Sequence, residues 1–227
     1  ILWVLGLLVD FATPLSPRSR ALQEELPPSP YHLPERFGLF TILVLGESFI
    51  KVIGGLSGRP HSASDILLDA PGLVIAVSLW WLYFDNVAES KVRWQGRQAQ
   101  VWLYTHLPLQ LGLTMFGVGV YKLVTLEPGT AVPESYRWLI SGAVAISLLA
   151  IGVVELATAE GGITSRWKSE FYLRLGSAIL IILLAIVGYR IETTLLMGLI
   201  AAICALQVLI DLYWRSRLEP AAELPQL

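Results

Sequence analysis

Cysteine is nearly missing from this chain. Cys204 alone stands among 227 residues, which excludes an internal disulfide and a cysteine-based metal site; inside an apolar run it reads as a small core filler. Charge is scarce as well: Asp, Glu, Lys and Arg make up 15% of the residues, against roughly 25% in soluble domains. The net charge of −2 leaves no basic footprint for nucleic acid, so none is expected as a partner. No glycine-rich phosphate loop, nucleophile elbow or zinc-protease signature occurs. The three histidines form no His-x-x-x-His pair, and the residues name no cofactor. The opening ILWVLGLLVDFA lacks a basic n-region, so it does not read as a signal peptide; residues 1–12 read as the end of a truncated transmembrane helix.

What fills the chain is apolar. Hydrophobic residues reach 55% without the 19 glycines, whereas soluble domains reach about 45–50% only with glycine counted. Eight tryptophans and eight tyrosines suit rings at membrane interfaces. Apolar runs at 37–56, 71–87, 104–125, 138–157, 174–190 and 194–213 each come near the ~17–25 residues that cross a bilayer core. With no water there to satisfy backbone groups, a crossing must be a helix or part of a closed barrel. These runs lack barrel-type alternation and are longer than barrel strands. The expected fold is an all-α, polytopic transmembrane bundle of six full spans plus the truncated one.

The connections agree. Residues 13–33 carry Pro14, Pro17, Pro27, Pro28 and Pro30 and read as an extended proline-rich linker. The bundle then occupies 34–214, and 215–227 form a polar tail. Arg190 to Thr193 leave room only for a tight antiparallel hairpin between the last two spans. Eleven of the sixteen Lys and Arg fall on one side of the alternating loops (Arg18, Arg20, Arg36, Lys91, Arg93, Arg97, Arg166, Lys168, Arg174, Arg215, Arg217). The positive-inside rule makes that side cytoplasmic. The expectation is a multi-pass protein of the inner (cytoplasmic) membrane with its C-terminus inside and the lipid bilayer as its first partner.

A pattern H-L-P-x-x-x-G-L occurs at His32–Leu39 and again at His106–Leu113. A parallel two-helix repeat gives it, and so does convergence on proline at a helix's first turn. Gly54 with Gly58 and Gly198 with Ala202 read as packing seams.

Glu47 is the residue most out of place. Eleven residues beyond Arg36, it lies roughly 16 Å along the helix, where a carboxylate costs about 2.5–3.5 kcal/mol or more on insertion scales. Arg36, Leu43, Glu47 and Lys51 share one stripe. Glu47 ahead of Lys51 by four is the favourable order for an ion pair. A structural lock and a proton- or ion-coupling site both fit. His32, Glu35, Asp85, His106 and Glu155 fall at or just inside the cytoplasmic ends of spans, which suggests a polar vestibule with Glu47 at its floor. Asp211 and Arg215 read as an ordinary i, i+4 pair at a helix end. The run Trp80, Trp81, Tyr83, Phe84 ahead of Asp85 fits an aromatic belt; a stacking platform for a substrate is the other use of such rings.

The stretch HLPERFGLFTILVLGES, His32 to Ser48, resembles the bacterial low-temperature-requirement A family, in which H-L-x-E-R-x-G-L-x-x-I-x-x-L-G-E recurs. LWWLYFD (Leu79 to Asp85) and HLPLQLGL (His106 to Leu113) fit in the same order. Pro34 stands where a small residue is expected. The resemblance implies a bacterial membrane protein named for a cold-growth phenotype, without a defined molecular activity. It also implies a longer protein whose N-terminal helical half has its own acidic-aromatic motif, and marks His32, Glu35, Arg36, Glu47, Asp85 and His106 as motif positions. Three function classes remain: transport or conductance of a proton, ion or small solute; a structural or accessory subunit of a larger membrane complex; and a membrane enzyme or cofactor-binding protein, the last weakened by the missing catalytic signatures.

Overall fold

The structure is a computed structural model and describes residues 2–25, 32–56, 63–88, 97–126, 130–158 and 165–218. These are helical almost throughout: α1 (Leu2–Ala12), α2 (Pro17–Glu25), α3 (His32–Leu56), α4 (Ala63–Tyr83), α5 (Arg97–Val124), α6 (Glu134–Thr158), α7 (Ser165–Val187) and α8 (Thr193–Leu218). Four helical stretches are long and apolar enough to cross a membrane: Gln98–Val124, Glu134–Thr158, Lys168–Val187 and Thr193–Ser216. The protein is an all-α, multi-pass membrane protein. Within the described residues, Ala70–Tyr83 of α4 is apolar but shorter than a crossing.

Several local expectations change. Part of the segment read as an extended linker is helical. Thr13–Leu15 form one 3₁₀ turn, and α2 starts on Pro17. Proline costs a helix nothing at its first position, where the N–H has no intrahelical partner. The Ser16 hydroxyl caps the turn by accepting the N–H of Ser19 at 3.2 Å. Pro27, Pro28 and Pro30 lie outside the described residues. Helix α5 begins at Arg97, so His106 and Pro108 sit well inside it rather than at its start, whereas His32 is the first residue of α3. The two copies of the repeated pattern therefore occupy unlike positions.

Helix α5 is central, packing against α6 on one side and α3 on another; α6 continues onto α7. The last helix departs from the hairpin expectation: α8 lies mainly along α4 and touches α7 much less. The turn between α7 and α8 is short but held from outside. Val132 N–H donates to the Ile191 carbonyl at 3.1 Å, and Thr193 N–H to that of Thr130 at 3.4 Å. The loop before α6 is thus stitched to this turn.

Lipid tails are as apolar as leucine, so close packing and polar contacts, more than exclusion from water, bring such helices together. The tight seams here are on α5. A Cβ at Gly112 would lie 2.6 Å from Ser147 Oγ and 3.1 Å from the Ala143 carbonyl; one at Gly117 would lie 2.6 Å from Ser48 Oγ and 3.2 Å from Ser48 Cα. Only glycine lets α6 and α3 approach this closely. The seam expected at Gly198 and Ala202 is not one among the described residues: nothing lies within 4 Å of a Cβ built on Gly198, and Ala202 is exposed. Gly58 lies outside the described residues, as does the packing at Gly54. Around the seams Leu45, Ile75, Leu79, Phe116, Ile140 and Ile151 form a continuous buried core, with Cys204 inside it.

Candidate functional site

The most concentrated chemistry lies where α6, α7 and α8 converge. Arg174 of α7 is fully buried. Its Nη2 donates to Glu155 Oε1 of α6 at 3.0 Å and to Asp211 Oδ2 of α8 at 2.6 Å; its Nη1 donates to Gln207 Oε1 at 3.0 Å. The side chains of Glu155 and Asp211 are 1% and 3% exposed. Glu170, one turn before Arg174, is buried as well. Asp211 and Gln207, four apart, project from one face of α8 and grip the guanidinium from two directions, the fork geometry that arginine provides and lysine does not. Counted from Thr158, Lys168 and Ser216, the three charged residues lie roughly 5–9 Å inside the ends of their spans at ~1.5 Å per residue. Arg174 Nε, Gln207 Nε2 and Asp211 Oδ1 are buried and have no hydrogen-bond partner within the protein.

The expected pairing of Asp211 with Arg215 does not form. Asp211 turns inward to Arg174. Arg215 instead reaches α4, with Nη1 2.9 Å from Asp85 Oδ1 and Nη2 donating to the Asp85 carbonyl at 3.0 Å. The chain permits this because α4 passes into a single wide π turn over Phe84–Ala88, of the kind that often marks functional sites.

His106 belongs to a different network. It is fully buried on α5 among Phe37, Trp102 and Tyr83, with ring centroids 4.6, 4.1 and 5.9 Å away. Its Nδ1 lies 2.7 Å from the Trp102 carbonyl, which can only accept. Nδ1 therefore carries the proton, and Nε2 accepts from the Tyr83 hydroxyl at 3.2 Å. Nearby, Gln110 Nε2 donates to Thr41 Oγ1 at 2.6 Å, and Thr41 to the Phe37 carbonyl at 2.8 Å. These contacts pin α3 and α4 to α5.

The α3 residues face outward. Glu47 and Lys51 pair at 3.3 Å, but the Glu47 side chain is 60% exposed. They line a cavity of about 190 Å³ with Leu43, Ser48 and Thr114. His32 and Glu35 are exposed and lie 3.8 Å apart; Arg36 is exposed beside them. The residues expected in one vestibule thus fall into separate groups: His32 with Glu35, Asp85 with Arg215, His106 with Tyr83, and Glu155 with Arg174. Among the described residues no group of three or more His, Cys, Asp or Glu could hold a metal ion.

Sequence reasoning missed Arg174 because it was counted with the basic loop residues. A signal was present: FYLRLGSAIL puts one arginine at the head of an apolar run, and Glu155, Gln207 and Asp211 supply polar groups in the two neighbouring spans.

Residues 1–211 match the family described as bacterial low temperature requirement A protein (LtrA). The chain belongs to this family. An uncharacterized protein of Rhizobium meliloti (strain 1021) is 28% identical over 142 residues, covering 52% of this chain and 32% of the relative. The chain thus spans about a third of the length of the curated relative it matches. No solved structure matches it.

Proposed function

We propose that this LtrA-family chain belongs to a membrane protein that moves a proton, ion or small solute, with the Arg174–Glu155–Asp211 cluster as its charge-handling site. Six full spans, α3 to α8, are proposed to form the bundle, in the inner membrane with the C-terminus cytoplasmic. The basic-residue count then puts the cluster near the cytoplasmic ends of α6, α7 and α8. One observation carries the reading: a single guanidinium nitrogen inside the membrane serves two carboxylates from two different spans. A structural lock needs one partner. With two, a proton or cation arriving at one carboxylate leaves Arg174 paired to the other, so charge can be loaded without stranding a buried ion. Ionisable groups at such depth are costly and mark ion or proton pathways by default. The Glu47–Lys51 cavity on α3 is a second polar station, the one singled out from sequence.

Flux in proteoliposomes tests the proposal, with a pH-sensitive dye inside and an imposed proton or cation gradient. Glu155→Gln and Asp211→Asn should each lower the flux at least about tenfold, the loss of one charged hydrogen bond. Glu47→Gln decides whether α3 takes part. Wild-type flux indistinguishable from empty liposomes, or flux equal to wild type in both cluster variants, refutes it.

An accessory-subunit reading is favoured by a separate observation. The Glu47–Lys51 pair is set among the outward-facing apolar residues Leu43, Ile50 and Ile53. Lipid solvates such a pair badly, whereas a further helix would cover it. A stoichiometric partner in mild detergent that is lost on Glu47→Leu/Lys51→Leu supports that reading; purification of the chain alone opposes it.

A further inference from the structure

The π turn that redirects α4 also opens a cavity of about 230 Å³, lined by Trp80, Trp81, Phe84, Asp85 and Arg215. At the ~30 Å³ that each water occupies in the liquid, it has room for about eight waters, the size of a small polar molecule or a lipid headgroup. Its walls are aromatic. The rings of Trp80 and Phe84 lie 5.7 Å apart with planes 33° from parallel, and Trp80 meets Trp81 at 6.2 Å. Trp80 is 40% exposed, so its ring can be reached from outside. The indole Nε1 of Trp81 is buried and finds no acceptor in the protein. At the rim, Asp85 and Arg215 present one charge of each sign, 2.9 Å apart.

A plain aromatic belt needs neither a cavity nor a pair of opposite charges. The chemistry also discriminates among occupants. A lone cation would suit the aromatic faces and Asp85 but would meet Arg215. A lone anion would suit Arg215 and the Trp81 N–H but would meet Asp85 and the negative faces of the rings. We infer that this cavity binds a zwitterion, its ammonium group held by Asp85 and the Trp80 and Phe84 rings and its acidic oxyanion by Arg215 and the Trp81 N–H. A phosphoethanolamine-type lipid headgroup and a free solute of the same kind share this chemistry. The cavity lies at the ends of α4 and α8, which meet the headgroup level if both helices cross the membrane as proposed.

Equilibrium dialysis of the detergent-purified chain against labelled glycerophosphoethanolamine tests the free-solute source. Native mass spectrometry from nanodiscs of mixed phosphatidylethanolamine and phosphatidylglycerol tests the lipid source. Saturable binding of the free probe, or selective retention of phosphatidylethanolamine, is expected. Asp85→Asn and Arg215→Gln should each weaken it about tenfold, one charge-assisted contact apiece. Trp80→Leu leaves the ion pair intact and should also weaken binding, so the inference does not depend on variants that disturb the fold. Three results would overturn it: neither probe binds; Trp80→Leu binds as wild type does; or tetramethylammonium binds as tightly as the zwitterion and Arg215→Gln leaves its binding unchanged.

Discussion

Replacing Arg174 with methionine keeps an unbranched apolar stem and removes the guanidinium. Three hydrogen bonds at 3.0, 3.0 and 2.6 Å disappear. Glu155 and Asp211 remain behind, 1% and 3% exposed. Counting only membrane hydrogen bonds at ~0.6 kcal/mol each gives a floor of about 2 kcal/mol. Breaking a buried ion pair while its partners stay in place costs about 3–5 kcal/mol in soluble proteins. The expected loss is therefore about 2–5 kcal/mol, its upper part from the abandoned carboxylates. The triple variant Arg174→Met/Glu155→Gln/Asp211→Asn leaves no abandoned charge and should recover to within about 1–2 kcal/mol of wild type, since neutral replacements of buried ion pairs are often tolerated. Reversible unfolding by SDS in mixed micelles, followed by circular dichroism, measures both. A loss below about 1 kcal/mol for Arg174→Met, or a triple variant weaker than the single one, would refute the reasoning. The same triple variant, folded but without its charges, should be inactive in the flux assay if the cluster handles the transported charge.

Other consequences are local. Gly117→Ala drives a methyl group against Ser48 and should cost about 1–3 kcal/mol by overpacking; adding Ser48→Gly should restore part of it in the same SDS titration. Arg137 of α6 is buried, and its Nε donates to the Ala185 carbonyl at 2.8 Å near the end of α7, so Arg137→Met should cost about 1–3 kcal/mol and Arg137→Lys less, because a cation still favours that helix end. His106→Phe keeps an aromatic ring but removes the bonds to the Trp102 carbonyl and the Tyr83 hydroxyl, again about 1–3 kcal/mol; pairing it with Tyr83→Phe should cost less than the sum of the two single changes, which a double-mutant cycle reads directly.

The helices were readable because hydrophobic length is a one-dimensional property: the runs at 138–157 and 194–213 fall within helices long and apolar enough to cross, and those at 104–125 and 174–190 overrun theirs only at the C-terminal end. Partner choice was not readable, because it depends on which helix faces lie together. Asp211 has Arg215 four residues away, the pairing that sequence favours, yet the inward face of α8 carries Asp211 to Arg174. The hairpin expectation held for the short turn but not for the packing, for a similar reason. A short turn limits how far apart two helices can start, but α8 finds its larger contact on α4. Glycine spacing misled in the same way: Gly112 and Gly117 of α5 carry the close approaches without small-x-x-x-small spacing, while Gly198 and Ala202 have that spacing, yet among the described residues nothing lies within 4 Å of a Cβ built on Gly198 and Ala202 is exposed. Glu155 stood out as a charge near the end of an apolar run, but Arg174, a residue with the same mark, was absorbed into the loop count.

Glu155 and Arg137 lie eighteen positions apart on α6 (155 − 137), about 27 Å along its axis, and the two ends of this helix are fastened by different means. Near Arg137, the joints are amide to carbonyl, Val132 to Ile191 and Thr193 to Thr130, with an arginine bonded to the Ala185 carbonyl. The amide joints carry no ionisable group. Near Glu155, the link from α6 and α7 across to α8 runs through two carboxylates and a guanidinium instead. Because α8 leans on α4 more than on α7, the α4–α8 pair is built like one arm of a pair of tongs, riveted at one tip and latched electrically at the other.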